Sequence, residues 1–309
     1  MGFEPWLQAA LFGLVGLLIG SFLNVVIHRL PRMMEADWAA ECEEYLRSQP
    51  GAATATAAAA KPEAEPFNLV TPRSRCPACG HAVRWHENIP VLSYLWLGGK
   101  CSACKTRISP RYPAVELATG LLFWFCARHW GATPTAAAWC AFSAALVALA
   151  CIDWDTTLLP DDITLPLLWG GLLASAFQWT SVPLFASVAG AAAGYLSLWT
   201  VYWAYKLIRN KEGMGFGDFK LFAALGAWFG WQALVPIILM SSVIGALIGV
   251  GMKFTRGLRE GGYIPFGPFL AGAGLAAMLF GPDRILNTIL SVVESLLGAL
   301  FSAMRAMGL

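Results

Sequence analysis

The sequence predicts an all-α polytopic membrane protein, with about eight transmembrane helices and a small cytoplasmic zinc-binding module between helices 1 and 2. Three observations carry that prediction. The 309-residue chain is 57% hydrophobic and 13% charged, with a mean hydropathy of +0.59, whereas soluble chains carry about a quarter charged residues. Apolar runs of about 20 residues recur, the length a helix needs to cross hydrocarbon with its backbone groups satisfied internally. One polar stretch holds two CxxC pairs, a pattern that suits a tetrahedral metal site. The net charge of +2 says little about partners. A lipid bilayer is the expected surrounding, and no nucleic-acid partner is expected.

Candidate spans cover about 7–27, 114–130, 134–152, 163–179, 182–207, 218–232, 234–252 and 265–281. With the N-terminus outside, segments 29–113, 153–162, 206–220 and 253–263 lie inside and hold 18 of the 21 Lys and Arg residues. Only Arg128, Arg284 and Arg305 fall elsewhere. By the positive-inside rule this asymmetry orients the chain.

The first transmembrane helix occupies 1–28. A secretory signal is the competing reading, but Glu4 is the only early charge, Arg29 and Arg32 follow the apolar run, and no small-residue cleavage site is evident. A retained anchor is expected. Pro31 is expected to stop the helix. Asn24 within the span reads as a polar contact to a neighbouring helix or to a substrate. Residues 29–70 form a cytoplasmic linker, with a short polar helix over Glu35–Arg47 and a low-complexity Ala/Thr/Glu/Pro-rich connector over Gly51–Pro66.

The cytoplasmic module, 71–113, contains Cys76-Pro-Ala-Cys79 and, 21 residues on, Cys101-Ser-Ala-Cys104. Four thiolates at that spacing suit one Zn²⁺, in a closed and therefore structural site. A redox CxxC pair and four free cysteines are the alternatives; a cytosolic setting disfavours disulfides. Cys42, Cys126, Cys140 and Cys151 lack paired spacing. His81, two residues after Cys79, reads as a surface or supporting residue, since four cysteines complete the shell. Glu116 reads as a carboxylate in the first turn of the second span, favoured by the helix dipole.

The membrane-embedded catalytic domain spans 114–283. Two aspartates sit at the mouths of its apolar segments, Asp153 in Ala-Cys-Ile-Asp-Trp-Asp-Thr-Thr-Leu-Leu-Pro-Asp-Asp (150–162) and Asp218 in Gly-Met-Gly-Phe-Gly-Asp-Phe-Lys (213–220). An ionised carboxylate at such depth is costly, by about 2.5–3.5 kcal/mol or more at a helix centre. Two spans separate them, so both return to one face, where two carboxylates that meet can share a proton and activate a water. Helix capping is the bland alternative. Asp161 or Asp162 reads as the N-cap of the next helix, and Asp155 as an interfacial residue. Gly213, Gly215 and Gly217 resemble a phosphate loop, but the flanks are membrane helices instead of a βαβ unit. The glycines instead suit close approach of an extended peptide or helix packing. Pro265 and Pro268 suggest a bent helix start near the aspartates. The tail, 284–309, has apolar residues at helical spacing and reads as an amphipathic interfacial helix.

The stretches Gly20–Pro31, Ser74–Thr119, Ile152–Pro166, Gly215–Lys220 and Pro265–Ala271 together resemble the type IV prepilin peptidase family, the bifunctional leader peptidase/N-methyltransferases of pilus and type II secretion systems. The resemblance implies that Asp153 and Asp218, the latter in a Gly-x-Gly-Asp motif, are catalytic. It also implies that Cys76, Cys79, Cys101 and Cys104 bind zinc. It implies prepilins and pseudopilins as substrates, cut after a short basic leader. It further implies N-methylation with S-adenosylmethionine and a place in the bacterial inner membrane, with site and module on the cytoplasmic side. The Ala-rich insertion near 51–60 departs from the pattern. A proton- or cation-coupled transporter using intramembrane carboxylates is the rival reading, and a zinc-anchored scaffold without catalysis a third. Neither accounts for both the aspartates and the cysteines, and no internal repeat marks a transporter.

Overall fold

The computed structural model describes residues 4–48, 67–211, 213–254 and 264–306. Helices dominate, and the only β pairing among the described residues is two isolated antiparallel bridges, Arg75 with Ala82 and Lys100 with Arg107. The chain forms two compact units, Met1–Ala136 and Ala137–Leu309.

The first unit contains α1 (Pro5–Ser48), α2 (Leu92–Trp96) and α3 (Arg111–Trp130). Pro31 does not stop α1; the apolar span and the polar segment are one 44-residue helix with Pro31 inside it. A proline removes a single i→i−4 bond, and the residues after it are strong helix formers such as Met33, Met34, Glu35 and Ala36. The Arg47–Glu43 pair at 2.7 Å supports the far end. The Gly51–Pro66 connector lies outside the described residues.

The α1 and α3 helices pack closely because glycine occupies the seam. A Cβ on Gly16 would meet Phe123 Cβ at 2.7 Å, and one on Gly20 would meet Glu116 Cα at 2.6 Å. Small residues let membrane helices approach in this way. Asn24 makes the neighbouring-helix contact, its Nδ2 donating to the Tyr112 carbonyl at 3.1 Å. Arg29 is buried and donates to the Asn68 and Pro72 carbonyls at 2.8 and 2.5 Å, which fastens the loop after residue 66 to α1.

The second unit contains α4 (Pro134–Thr156), α5 (Asp161–Ala176), α6 (Leu184–Arg209), α7 (Phe216–Phe229), α8 (Leu234–Phe254), α9 (Gly267–Phe280) and α10 (Pro282–Ala306). Its centre is α7, where every residue from Phe219 to Trp228 except Lys220 is buried. Gly190 of α6 and Gly226 of α7 stand backbone to backbone, and a Cβ on either would collide with the other's carbonyl. Ser187 donates to the Ala227 carbonyl at 2.6 Å, and Trp228 Nε1 to the Leu167 carbonyl at 2.8 Å, so α7 is tied to α6 on one side and α5 on the other.

All eight apolar segments are helices, but not all are long enough to span by themselves. Among the described residues four are long and apolar enough: Pro5–Ser48, Pro134–Thr156, Leu184–Arg209 and Trp231–Phe254. A fifth arises if α9 and the following helix, bent by 107°, count as one span. Of the others, α5 has 16 residues and α7 and α9 have 14 each, and 14 residues rise only about 21 Å; α3, at 20 residues, is long enough but less apolar. Broad exposed apolar faces on α6 and α8, including Leu196, Val201, Val243 and Leu247, are what lipid contact requires.

Candidate active site and metal centre

The metal centre is built from two copies of one small turn. Cys76 N–H donates to the His81 carbonyl and Gly80 N–H to the Cys76 carbonyl, both at 2.9 Å. In the same way Cys101 N–H donates to Thr106 (2.9 Å) and Lys105 N–H to Cys101 (3.1 Å). Gly80 and Lys105 both hold positive φ, +72° and +59°. The bonds Val83 to Ser74 and Ile108 to Gly99 complete the match, so residues 74–83 and 99–108 repeat the same backbone. Each turn aims two sulfurs inward, and the four Sγ atoms lie within 4.8 Å of one another. Cys76 to Cys104 is 3.7 Å and Cys79 to Cys101 is 4.0 Å, close to the roughly 3.8 Å between sulfurs around a tetrahedral ion with 2.3 Å bonds. This cluster can hold a metal ion.

His81 is turned to Glu87, Nε2 to Oε2 at 3.2 Å, and is not part of the sulfur cluster. The Arg84 backbone N–H, then Ser102 and His81, hold the Glu87 carboxyl down at about 2, so Glu87 stays ionised at neutral pH. Glu116 departs from its expected place. Because α3 begins at Arg111, Glu116 falls in the second turn. It is buried, and its Oε2 accepts from Val91 N–H at 2.7 Å. A cavity of about 500 Å³ opens among α1, α3 and the module, with Asn24, His28, Tyr94, Ser102, Tyr112 and Glu116 on its wall.

In the second unit the aspartates near the two motifs separate by burial. Asp153 is 5% exposed and Asp218 4%, whereas Asp155, Asp161 and Asp162 are exposed. Asp161 and Asp162 are not N-caps; Pro160 occupies that position, and both lie in the first turn of α5. Pro160 presets the extended backbone that an N-cap position needs. Asp161 instead takes both of its oxygens to Lys220 Nζ at 2.7 Å, pinning the start of α5 to the start of α7. Sequence reasoning missed Lys220, although it stands two residues beyond Asp218.

Asp153 lies in the last turn of α4. There the dipole of its own helix opposes a carboxylate, so capping does not account for it. Its Oδ2 lies where a Cβ on Gly267 would sit, 2.5 Å away. Gly267 opens α9, whose N-terminal dipole favours a negative charge. Leu159 joins the two acids. Its side chain fills the space beside Gly267 and lies 2.6 Å from a Cβ on Gly217, the residue before Asp218. Asp218 Oδ1 is buried without a hydrogen-bond partner. A Cβ on Gly215 would meet only Asp218 Oδ2, at 3.9 Å. The glycines thus divide: Gly213 and Gly217 pack, against Tyr205 and Leu159, and Gly215 leaves room beside a carboxylate.

Gly267→Ala is expected to leave insertion unchanged and to displace the Asp153 carboxylate. Misplacing a reacting group by about 1 Å can cost about 100-fold, and a rate assay on the purified variant reads the loss.

The comparisons follow the same division of the chain. Residues 14–130 match the Bacterial Peptidase A24 N-terminal domain, and residues 140–250 match the Type IV leader peptidase family. The chain is 53% identical over 281 residues to a prepilin leader peptidase/N-methyltransferase of Pseudomonas aeruginosa, covering 90% of this chain and 91% of that protein. It is 51% identical over 294 residues to the protein of the same description from Aeromonas salmonicida, covering 94% and 96%. It is 49% identical over 284 residues to that of Pseudomonas putida, covering 92% and 94%. No solved structure matches. These relatives are leader peptidases, and nothing in them supports the transporter reading.

Proposed function

This chain belongs to the type IV leader peptidase family, and from that premise we infer that it removes the leader peptide from prepilins and N-methylates the new N-terminus. The observation that carries the hydrolytic half is the burial of Asp153 and Asp218 around Leu159 and Gly267, with every neighbouring aspartate exposed. Two close carboxylates do not both ionise readily, so they share one proton. The ionised partner takes a proton from a water, which attacks the scissile carbonyl. The protonated partner donates to the carbonyl oxygen and then supports the leaving amine. No acyl-enzyme forms. The space beside Gly215 admits an extended peptide next to Asp218, and the exposed Asp155 and Asp162 suit a basic leader.

The ion of the module is read as Zn²⁺ held by Cys76, Cys79, Cys101 and Cys104, a closed four-thiolate site that cross-links the two turns. S-adenosylmethionine supplies a methyl group on a sulfonium when bound. The cavity of the first unit falls within the usual 300–1,000 Å³ of small-molecule sites. Tyr94 and Tyr112 offer aromatic surface there, and Asn24 and Glu116 offer polar groups. All eight apolar helices are read as lying within the bacterial inner membrane, with the module and both aspartates cytoplasmic. The working boundaries are 1–28, 29–70, 71–113, 114–283 and 284–309. Pseudopilins of type II secretion are read as further substrates.

The test is to incubate purified protein with a prepilin and methyl-labelled S-adenosylmethionine. A shortened product labelled at its new N-terminus is expected. A substrate that stays full length contradicts the peptidase; full cleavage without label contradicts the transferase.

A further inference from the structure

The cytoplasmic module carries an apolar surface that its fold leaves uncovered. On α2, Leu92, Leu95 and Trp96 stand at i, i+3 and i+4, which places them on one helix face. They are exposed, Trp96 by 91%. Ser93, Tyr94 and Leu97 occupy the opposite side and line the cavity. The helix is therefore amphipathic with its larger apolar side outward. Trp85, in the adjoining turn, is 82% exposed as well. An isolated exposed leucine needs no explanation, but two tryptophans and two leucines on one short stretch of a polar module do.

The position of α2 bears on what covers that face. Gly20 and Glu116 meet at the α1–α3 seam. Gly20 precedes the end of the apolar run at Ile27 by seven residues, about 10 Å of helix. Glu116 reaches Val91 N–H, immediately before α2. The start of α2 therefore lies within one side-chain length of a level inside the apolar run, beside the helix shafts instead of above their ends. Val91 is also forced into place. It has φ +60°, rare for a β-branched residue, in a tight turn closed by Leu92 N–H to the Pro90 carbonyl at 2.6 Å. Such strain persists only where the surroundings fix it, and here it sets the direction of α2. Charge agrees with the placement. Residues 67–113 contain seven Lys or Arg and one acid, Glu87, which is engaged by His81; Arg73, Arg75, Arg84, Lys100, Lys105 and Arg107 are exposed.

We propose that the exposed Leu92, Leu95 and Trp96 face of α2 inserts into the headgroup region of an anionic lipid surface, so that the module lies on the membrane. Tryptophan and leucine at that level with surrounding basic residues are the ordinary chemistry of interfacial binding. The inference rests on α1 crossing the membrane and is independent of the cleavage reaction.

The test uses the full chain in lipid nanodiscs, with a benzophenone amino acid at 92, 95 or 96 and, as control, at Glu44, far along the polar part of α1. After illumination, phospholipid adducts are counted by mass spectrometry on protein that retains its full metal content. Adduct yield at 96 is expected to exceed that at 44 by about tenfold or more, and to rise with the anionic lipid fraction and fall in high salt. Equal yields at 96 and 44 overturn the proposal. Cross-links at 96 to a second copy of the chain or to added prepilin in place of lipid also overturn it.

Discussion

Replacing Cys101 by serine is expected to cost the protein its metal and to unfold the module while the helices of the second unit stay folded. Structural zinc contributes about 10–16 kcal/mol of apparent binding energy in small zinc-bound folds. Residues 67–113 hold few other means of support: two isolated bridges, the five-residue α2 and a short 3₁₀ turn. Cys101 is the buried cysteine of the four, so its loss opens the cluster from inside. A chelator should act in the same way, more slowly. Metal analysis with thiol titration checks both. One zinc per chain and four unreactive thiols are expected in the native protein, and no zinc with four reactive thiols in the variant. Zinc-free native protein with all four thiols reactive would contradict the site.

The second large effect is at the aspartates. Asp218→Asn or Asp153→Asn should reduce cleavage by roughly 10²–10⁴-fold, the range for loss of a positioned acid or base, without preventing membrane insertion. Asparagine keeps the size and most hydrogen bonding of the side chain, so a packing or capping role would survive it. Asp155→Asn and Asp162→Asn should retain substantial activity, because both side chains are exposed. Asp161→Asn should do the same with some loss of stability, since it weakens the pair with Lys220. That pair is partly exposed and is worth at most about 1 kcal/mol. Circular dichroism and a cleavage assay on each variant separate the two kinds of effect.

Much of this was legible in sequence because hydrophobic patterning and motif spacing are local. All eight apolar runs became helices, and four cysteines at CxxC spacing converged. The two aspartates singled out by depth are the two that are buried. What was hidden depends on contacts between distant segments. Nothing near Glu116 announces that it accepts from Val91, 25 residues earlier. Nothing near Lys220 announces its partner Asp161, and Gly267 shows its role only where Asp153 lies against it. Pro31 misled because a local breaker rule was applied to a helix whose remaining bonds outweigh one proline. Span length was harder to read: among the described residues four helices are long and apolar enough to cross by themselves. The 14-residue α7 and α9 owe much of their apolar character to burial among neighbouring helices.

The central claim is that Asp153 and Asp218 act as one unit on one water, and a double-mutant cycle tests it most directly. Single-turnover cleavage of a prepilin is measured for the native protein, Asp153→Asn, Asp218→Asn and the double variant, each verified as inserted and folded. Groups that serve one step together are non-additive, so the double variant should be no slower than either single variant. Losses that multiply in the double variant, or near-normal turnover by either single variant, would contradict the shared site.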